Sequence, residues 1–191
     1  VVDDTGWPKK GSESVGVAPQ YCGQLGKKAN CQVALSLTLA RAEVPVPIAL
    51  RLFLPQAWEG DEGRRAKCGV PDEVRHEPKW QMALEEIDRA REAGVRFGDV
   101  LADAEYGKAG EFRAGLSERG LLYGVGIPAN QNVYVPSARA VKPRAGGRGR
   151  PARHCEATRA AHPARGMIAR QGKRAWRRVS WRKGTKGALS C

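Results

Sequence analysis

Two stretches of the chain place carboxylates where a hard cation could be held. In Val100-Leu101-Ala102-Asp103-Ala104-Glu105-Tyr106-Gly107 an apolar run stops at an aspartate, followed by an acid, an aromatic residue and a glycine. Val1-Val2-Asp3-Asp4-Thr5-Gly6 repeats the pattern in miniature. Apolar runs of this kind read as buried strands that deliver their last residue to a sheet edge. Mg²⁺ and Mn²⁺ prefer oxygen ligands, and Mg²⁺ is usually bound through one or two carboxylates. Two such ions ~3.5 to 4 Å apart would activate an attacking water or 3′ hydroxyl and stabilise the leaving oxygen of a phosphodiester. The plainer alternative is that Asp3, Asp4 and Asp103 are turn and cap residues, for which aspartate is also favoured. The pattern alone supports the two readings equally.

Other chemistries are weaker. Asp4-Thr5-Gly6 is the tripeptide of aspartic proteases, where two close carboxylates share a proton. Here no second copy exists, and no hairpin and return strand of the expected kind follows. The five cysteines (Cys22, Cys31, Cys68, Cys155, Cys191) are odd in number and lack a Cys-x-x-Cys pair, which favours reduced thiols and a cytoplasmic setting over a disulfide framework or zinc site. His154-Cys155 is a lone dipeptide with nothing to orient it as a catalytic pair.

The elements that must position the acids can be read in order. Trp7-Pro8-Lys9-Lys10-Gly11 is a basic turn after the first acids, and its lysines are candidates for a phosphate contact. Residues 14–23 read as a short irregular strand or hairpin. Val33, Leu35, Leu37 and Leu39 alternate, as in a half-buried strand over residues 31–39. Pro45 and Pro47 mark a connection to a strand over residues 48–54, and residues 58–71 read as a charged surface excursion. Trp80, Ala83, Leu84, Ile87 and Ala90 predict a helix over residues 78–93, opened by Pro78 and stopped by Gly94. A strand over 95–102, a helix over 108–119 and a strand over 121–127 complete the series. A meander followed by strand and helix crossovers predicts an α/β fold, a mixed sheet with helices on its faces.

The net charge of +13 is uneven. Residues 139–191 hold sixteen Lys and Arg against the single acid Glu156, a charge of +15; the other 138 residues carry −2. Such a block is the footprint of a polyanion partner, most often nucleic acid, or else a solvated basic tail or degenerate sequence. The division expected is therefore a domain over residues 1–138 and a basic, irregular segment over 139–191. Gly146-Gly147-Arg148-Gly149-Arg150-Pro151 reads as a flexible linker. Residues 175–182 interleave Trp176 and Trp181 with arginines, and read either as a strand suited to stacking and phosphate contact or as a strand edge with both tryptophans inward. With Lys9 and Lys10, the candidate nucleic-acid contacts are Arg177, Arg178, Arg182 and Lys183. No apolar run approaches the ~20 residues of a membrane span. Val1 opens inside a strand, which reads as an N-terminal truncation.

Several co-ordered motifs resemble bacterial insertion-sequence transposases, in particular the group numbered seven hundred and one. They are Val1 through Gly11, Gln20-Tyr21-Cys22-Gly23 with Asn30-Cys31-Gln32, Leu52-Phe53-Leu54-Pro55 with Trp58, and Leu101 through Gly107. The resemblance covers residues 1–135, with a weaker echo at 175–187. It implies a DDE recombinase with a ribonuclease H-like core, acting on transposon-end and target DNA, in which the acid-tipped first and fourth strands lie side by side. Asp3 is then the first catalytic acid and metal ligand, with Asp4 the alternative, and Asp103 the second. Glu105 stands where the family has a small residue, and reads as a bystander. The resemblance further implies Mg²⁺ or Mn²⁺ as cofactor, two ions, and an assembly that includes a homo-oligomer. It also implies a third acid, a glutamate on a later helix. No counterpart follows Glu118 except Glu156, so the third acid is expected beyond Cys191. The chain then reads as a truncated or decayed copy, which leaves its status as an enzyme open.

Overall fold

The two acid-bearing stretches are laid side by side by a sheet whose first half is a meander. In the computed structural model, which describes residues 1–41, 44–142, 155–177, 180–184 and 187–190, β1 (Val2–Pro8) pairs antiparallel with the long β3 (Lys27–Arg41). The other edge of β3 carries β2 (Ala18–Cys22) and then β4 (Val44–Leu52), both antiparallel to it. The free edge of β1 is taken by β5 (Val100–Ala102), parallel, and β5 pairs in parallel with β6 (Tyr123–Val125). The result is a six-stranded mixed sheet in an α/β arrangement compatible with a ribonuclease H-like core.

Helix α2 (Lys79–Glu92) forms where the periodicity predicts it, buries Met82, Ala83, Leu84 and Ile87, and stops before Gly94, whose φ of 79° suits glycine. These side chains meet Val2, Leu35, Leu37 and Val100 of the sheet, together with Tyr106, Phe112 and Leu116 from α3 (Ala104–Gly107) and α4 (Gly110–Glu118). All of these sheet residues lie on one face. On the opposite face Leu50, Leu52 and Leu101 remain 62%, 41% and 50% exposed. The expectation of helices on the faces of the sheet is met, for this core, on the face built by Val2, Leu35, Leu37 and Val100.

Several local readings are corrected. Pro45 and Pro47 are inside β4 rather than in a connection; β4 is an edge strand, where a missing N–H costs no ladder bond. The excursion at 58–71 is packed: it contains α1 (Glu62–Lys67), Trp58 is fully buried, and the Trp58 indole N–H donates to the Val17 carbonyl at 3.0 Å. Arg64 lies over that indole, and this charged seat hid the packing from a composition-based reading. The strand expected over 95–102 contracts to its last three residues, and short β2 makes it the fifth in chain order; β1 does not stop at its acids but runs on to Pro8, because Thr5 to Pro8 continue the ladder with β3, so β5 alone is tipped by an aspartate.

The chain divides into two compact units, Val1–Ile127 and Pro128–Cys191. The second contains the pairs β7 (Asn132–Val133) with β10 (His162–Pro163), β8 (Ala140–Val141) with β9 (Glu156–Ala157), and β11 (Ser180–Gly184) with β12 (Gly187–Ser190), plus helix α5 (Ala164–Ala169). The strand expected at 175–182 starts later, at Ser180. The predicted linker at 146–151 lies outside the described residues.

Candidate active site

The parallel pairing of β1 and β5 sets Val2 opposite Ala102. Asp3 and Asp103 each stand one residue beyond that pair, so the two predicted acids come to adjacent strand positions at the same end of the sheet. Strand alternation fixes their side. Val2, Val100 and Ala102 belong to the helix-covered core, so Asp3 and the exposed Leu101 occupy the open face, and both aspartates are exposed.

Asp103 is also the N-cap of α3. Its Oδ1 accepts from the Glu105 N–H at 2.9 Å and the Tyr106 N–H at 3.4 Å. The cap reading is therefore correct and does not exclude a ligand role, because Oδ2 has no hydrogen-bond partner among the described residues. Asp3 is similar: its Oδ1 accepts from the Asp4 N–H at 2.8 Å, and its other oxygen is unengaged among the described residues. Glu105 pairs with Lys108 at 2.6 Å, in keeping with a bystander.

Asp4 has a different environment. It points to the helix-covered face, where its Oδ2 accepts from Lys79 Nζ and its Oδ1 from Tyr106 Oη, each at 2.5 Å. Neither Lys79 nor the Tyr106 hydroxyl was singled out from the sequence. Lys79 opens α2 just after Pro78 with no motif to mark it, whereas Asp103-x-x-Tyr106 carried a usable signal, the spacing from an N-cap to its third helical residue. Tyr106 is 2% exposed, and its ring packs on Phe112. Burial, then the Asp4 charge and hydrogen bond, then the charges of Asp103 and Asp3 hold its hydroxyl far above the usual phenol range. All three aspartates therefore act on this one hydroxyl.

The donors suit a hard divalent cation: Asp3 and Asp103 each offer a free carboxylate oxygen on an exposed face. Asp4 does not, since both of its oxygens are engaged. Among the described residues no three His, Cys, Asp or Glu side chains are grouped to hold an ion; what the β1–β5 register brings to neighbouring positions is the pair Asp3 and Asp103. Lys9 and Lys10 are exposed just past β1, on a turn pinned by Asn30, whose Nδ2 donates to the Lys9 and Gly11 carbonyls at 2.9 Å. Arg177 is exposed in the second unit, Arg182 and Lys183 fall on β11, and Arg178 lies outside the described residues.

Residues 1–188 match the DDE superfamily endonuclease family. The chain belongs to that family. It is also 32% identical, over 136 residues, to a probable transposase for insertion sequence element IS701 from Microchaete diplosiphon. The match covers 71% of this chain and 33% of that relative, so the chain spans about a third of the protein it resembles. No solved structure matches. The family agrees with the resemblance carried by the acid, glycine and cysteine motifs. No helix among the described residues is long and apolar enough to cross a membrane.

Proposed function

We propose that the Val1–Ile127 unit is the ribonuclease H-like catalytic core of an insertion-sequence transposase, performing metal-dependent cleavage of DNA phosphodiesters at transposon ends and strand transfer into target DNA. The observation that carries this reading is the parallel β1–β5 pairing, which sets Asp3 and Asp103 at neighbouring positions, each with an oxygen unengaged among the described residues. Asp3 is favoured over Asp4 as the first ligand because Asp4 is already neutralised by Lys79 and bonded by Tyr106. Mg²⁺ or Mn²⁺ held by Asp3 and Asp103 would supply Lewis-acid polarisation of the phosphate and a more acidic attacking water. Lys9 and Lys10 are suited to phosphate contacts beside the site.

The test is nicking of transposon-end DNA by the chain in Mn²⁺. Asp103→Asn, which keeps a capping oxygen but removes the charge, is expected to abolish it. Equal nicking by both proteins rejects the assignment.

The charge of residues 139–191 favours a second reading, a DNA-binding remnant without catalysis. It predicts sequence-indifferent affinity that falls steeply with salt, survives Asp103→Asn and disappears when 139–191 is deleted. Unchanged affinity after the deletion rejects it.

A further inference from the structure

Tyr106 is bonded to both acid stretches. Its backbone N–H donates to Asp103 Oδ1, while its side-chain hydroxyl donates to Asp4, the residue after Asp3. The turn that carries it has little freedom. A Cβ on Gly107 would collide with the Gly126 carbonyl, and Arg113 donates to the Gly107 carbonyl from the next helix. Lys79 fixes the other oxygen of Asp4 and lies 5.1 Å from the centre of the Phe53 ring, so Asp4 is held from α2 and α3 together. The β1–β5 ladder is short: Val2–Ala102 is its one registered pair. One pair constrains the spacing of the strand ends weakly, and the Asp4–Tyr106 bond adds a second tie beyond it, at the level of the acids.

We propose that Tyr106 is a positioning residue that sets the separation of Asp3 and Asp103, acting through Asp4 on one side and the capped turn on the other. This rests on the catalytic reading above. A buried tyrosine hydroxyl needs an acceptor in any case; a purely structural bond would affect stability and leave cation affinity unchanged.

The experiment measures Mn²⁺ affinity of the full chain by the loss of the free-ion electron paramagnetic resonance signal, with circular dichroism to confirm folding. Tyr106→Phe removes only the oxygen. It is expected to keep the fold and weaken Mn²⁺ binding about tenfold, within the range for residues that orient metal ligands. Phe112→Leu, in the same core cluster but outside the hydrogen bonds, is expected to lower Tm and leave the affinity within about twofold. Wild-type affinity in folded Tyr106→Phe overturns the proposal. So does an equal loss of affinity in Phe112→Leu at matched destabilisation. If the unaltered chain binds no Mn²⁺, or Asp103→Asn binds it equally well, the catalytic reading itself fails and the proposal fails with it.

Discussion

Asp3 and Asp4 are neighbours in sequence and face opposite sides of β1. On the helix-covered side Asp4 is tied to Lys79 and Tyr106, so its charge is used in holding β1 to α2 and α3. On the open side Asp3 receives, among the described residues, only a backbone N–H, and keeps one oxygen unengaged. The same residue type thus serves structure on one face and is available for chemistry on the other. What separates them is the period of two along a strand and the placement of the helices on one face. Conversely, Asp103 has both features, because a cap occupies one carboxylate oxygen and leaves the second unengaged among the described residues.

The comparison fails if the two aspartates can exchange roles. The largest expected effect is on function: Asp3→Asn should weaken Mn²⁺ binding at least about hundredfold, beyond the range for residues that only orient ligands. Its stability should stay within about 0.5 kcal/mol, as for exposed substitutions. Asp4→Ala should act mainly on stability, lowering it by about 2–4 kcal/mol in chemical denaturation, since it strands a partly buried ammonium and a buried hydroxyl, while loss of the Asp4–Tyr106 bond weakens Mn²⁺ binding only about tenfold, as in Tyr106→Phe. A folded Asp4→Ala variant whose Mn²⁺ binding falls as far as that expected for Asp3→Asn would assign the ligand to Asp4 instead.

A third prediction concerns pH. The folded-state pKa of Tyr106 is raised above its ordinary 10.0, because folding favours the neutral phenol. The corresponding stability is fully present below pH 10 and is lost as pH rises above it, by about 1.4 kcal/mol per pH unit for one group. Tyr106→Phe should lack that slope, so the stability difference between the two proteins in urea melts should change by that amount per pH unit above pH 10. The smallest effect separates the two roles of Asp103. Asp103→Ala should be less stable than Asp103→Asn by about 1 kcal/mol, the worth of an N-cap, while both lose the cation equally.

Much of this was legible in local pattern. The alternation of Val33, Leu35 and Leu37 defined β3, the spacing of Ala83, Leu84 and Ile87 defined α2, and the apolar run before Asp103 marked the end of β5, whereas β1 runs on past Asp3 and Asp4 to Pro8. Pattern failed where the partner was distant. Arg64 and Arg65 looked like a solvated surface, yet Arg64 stacks on buried Trp58, and Arg65 is 4% exposed, donating to the Pro71 and Val74 carbonyls. Prolines at 45 and 47 looked like a break because a sequence does not say which strand lies at an edge.

The sequence by itself determined that aspartates follow two apolar runs and that the chain carries its excess charge in the last quarter, because strand period and composition are local properties. Only the tertiary structure decided which aspartate of Asp3-Asp4 is free. That choice depends on Lys79 and Tyr106, 75 and 102 residues away from Asp4 in the chain, and on which face of the sheet the helices cover.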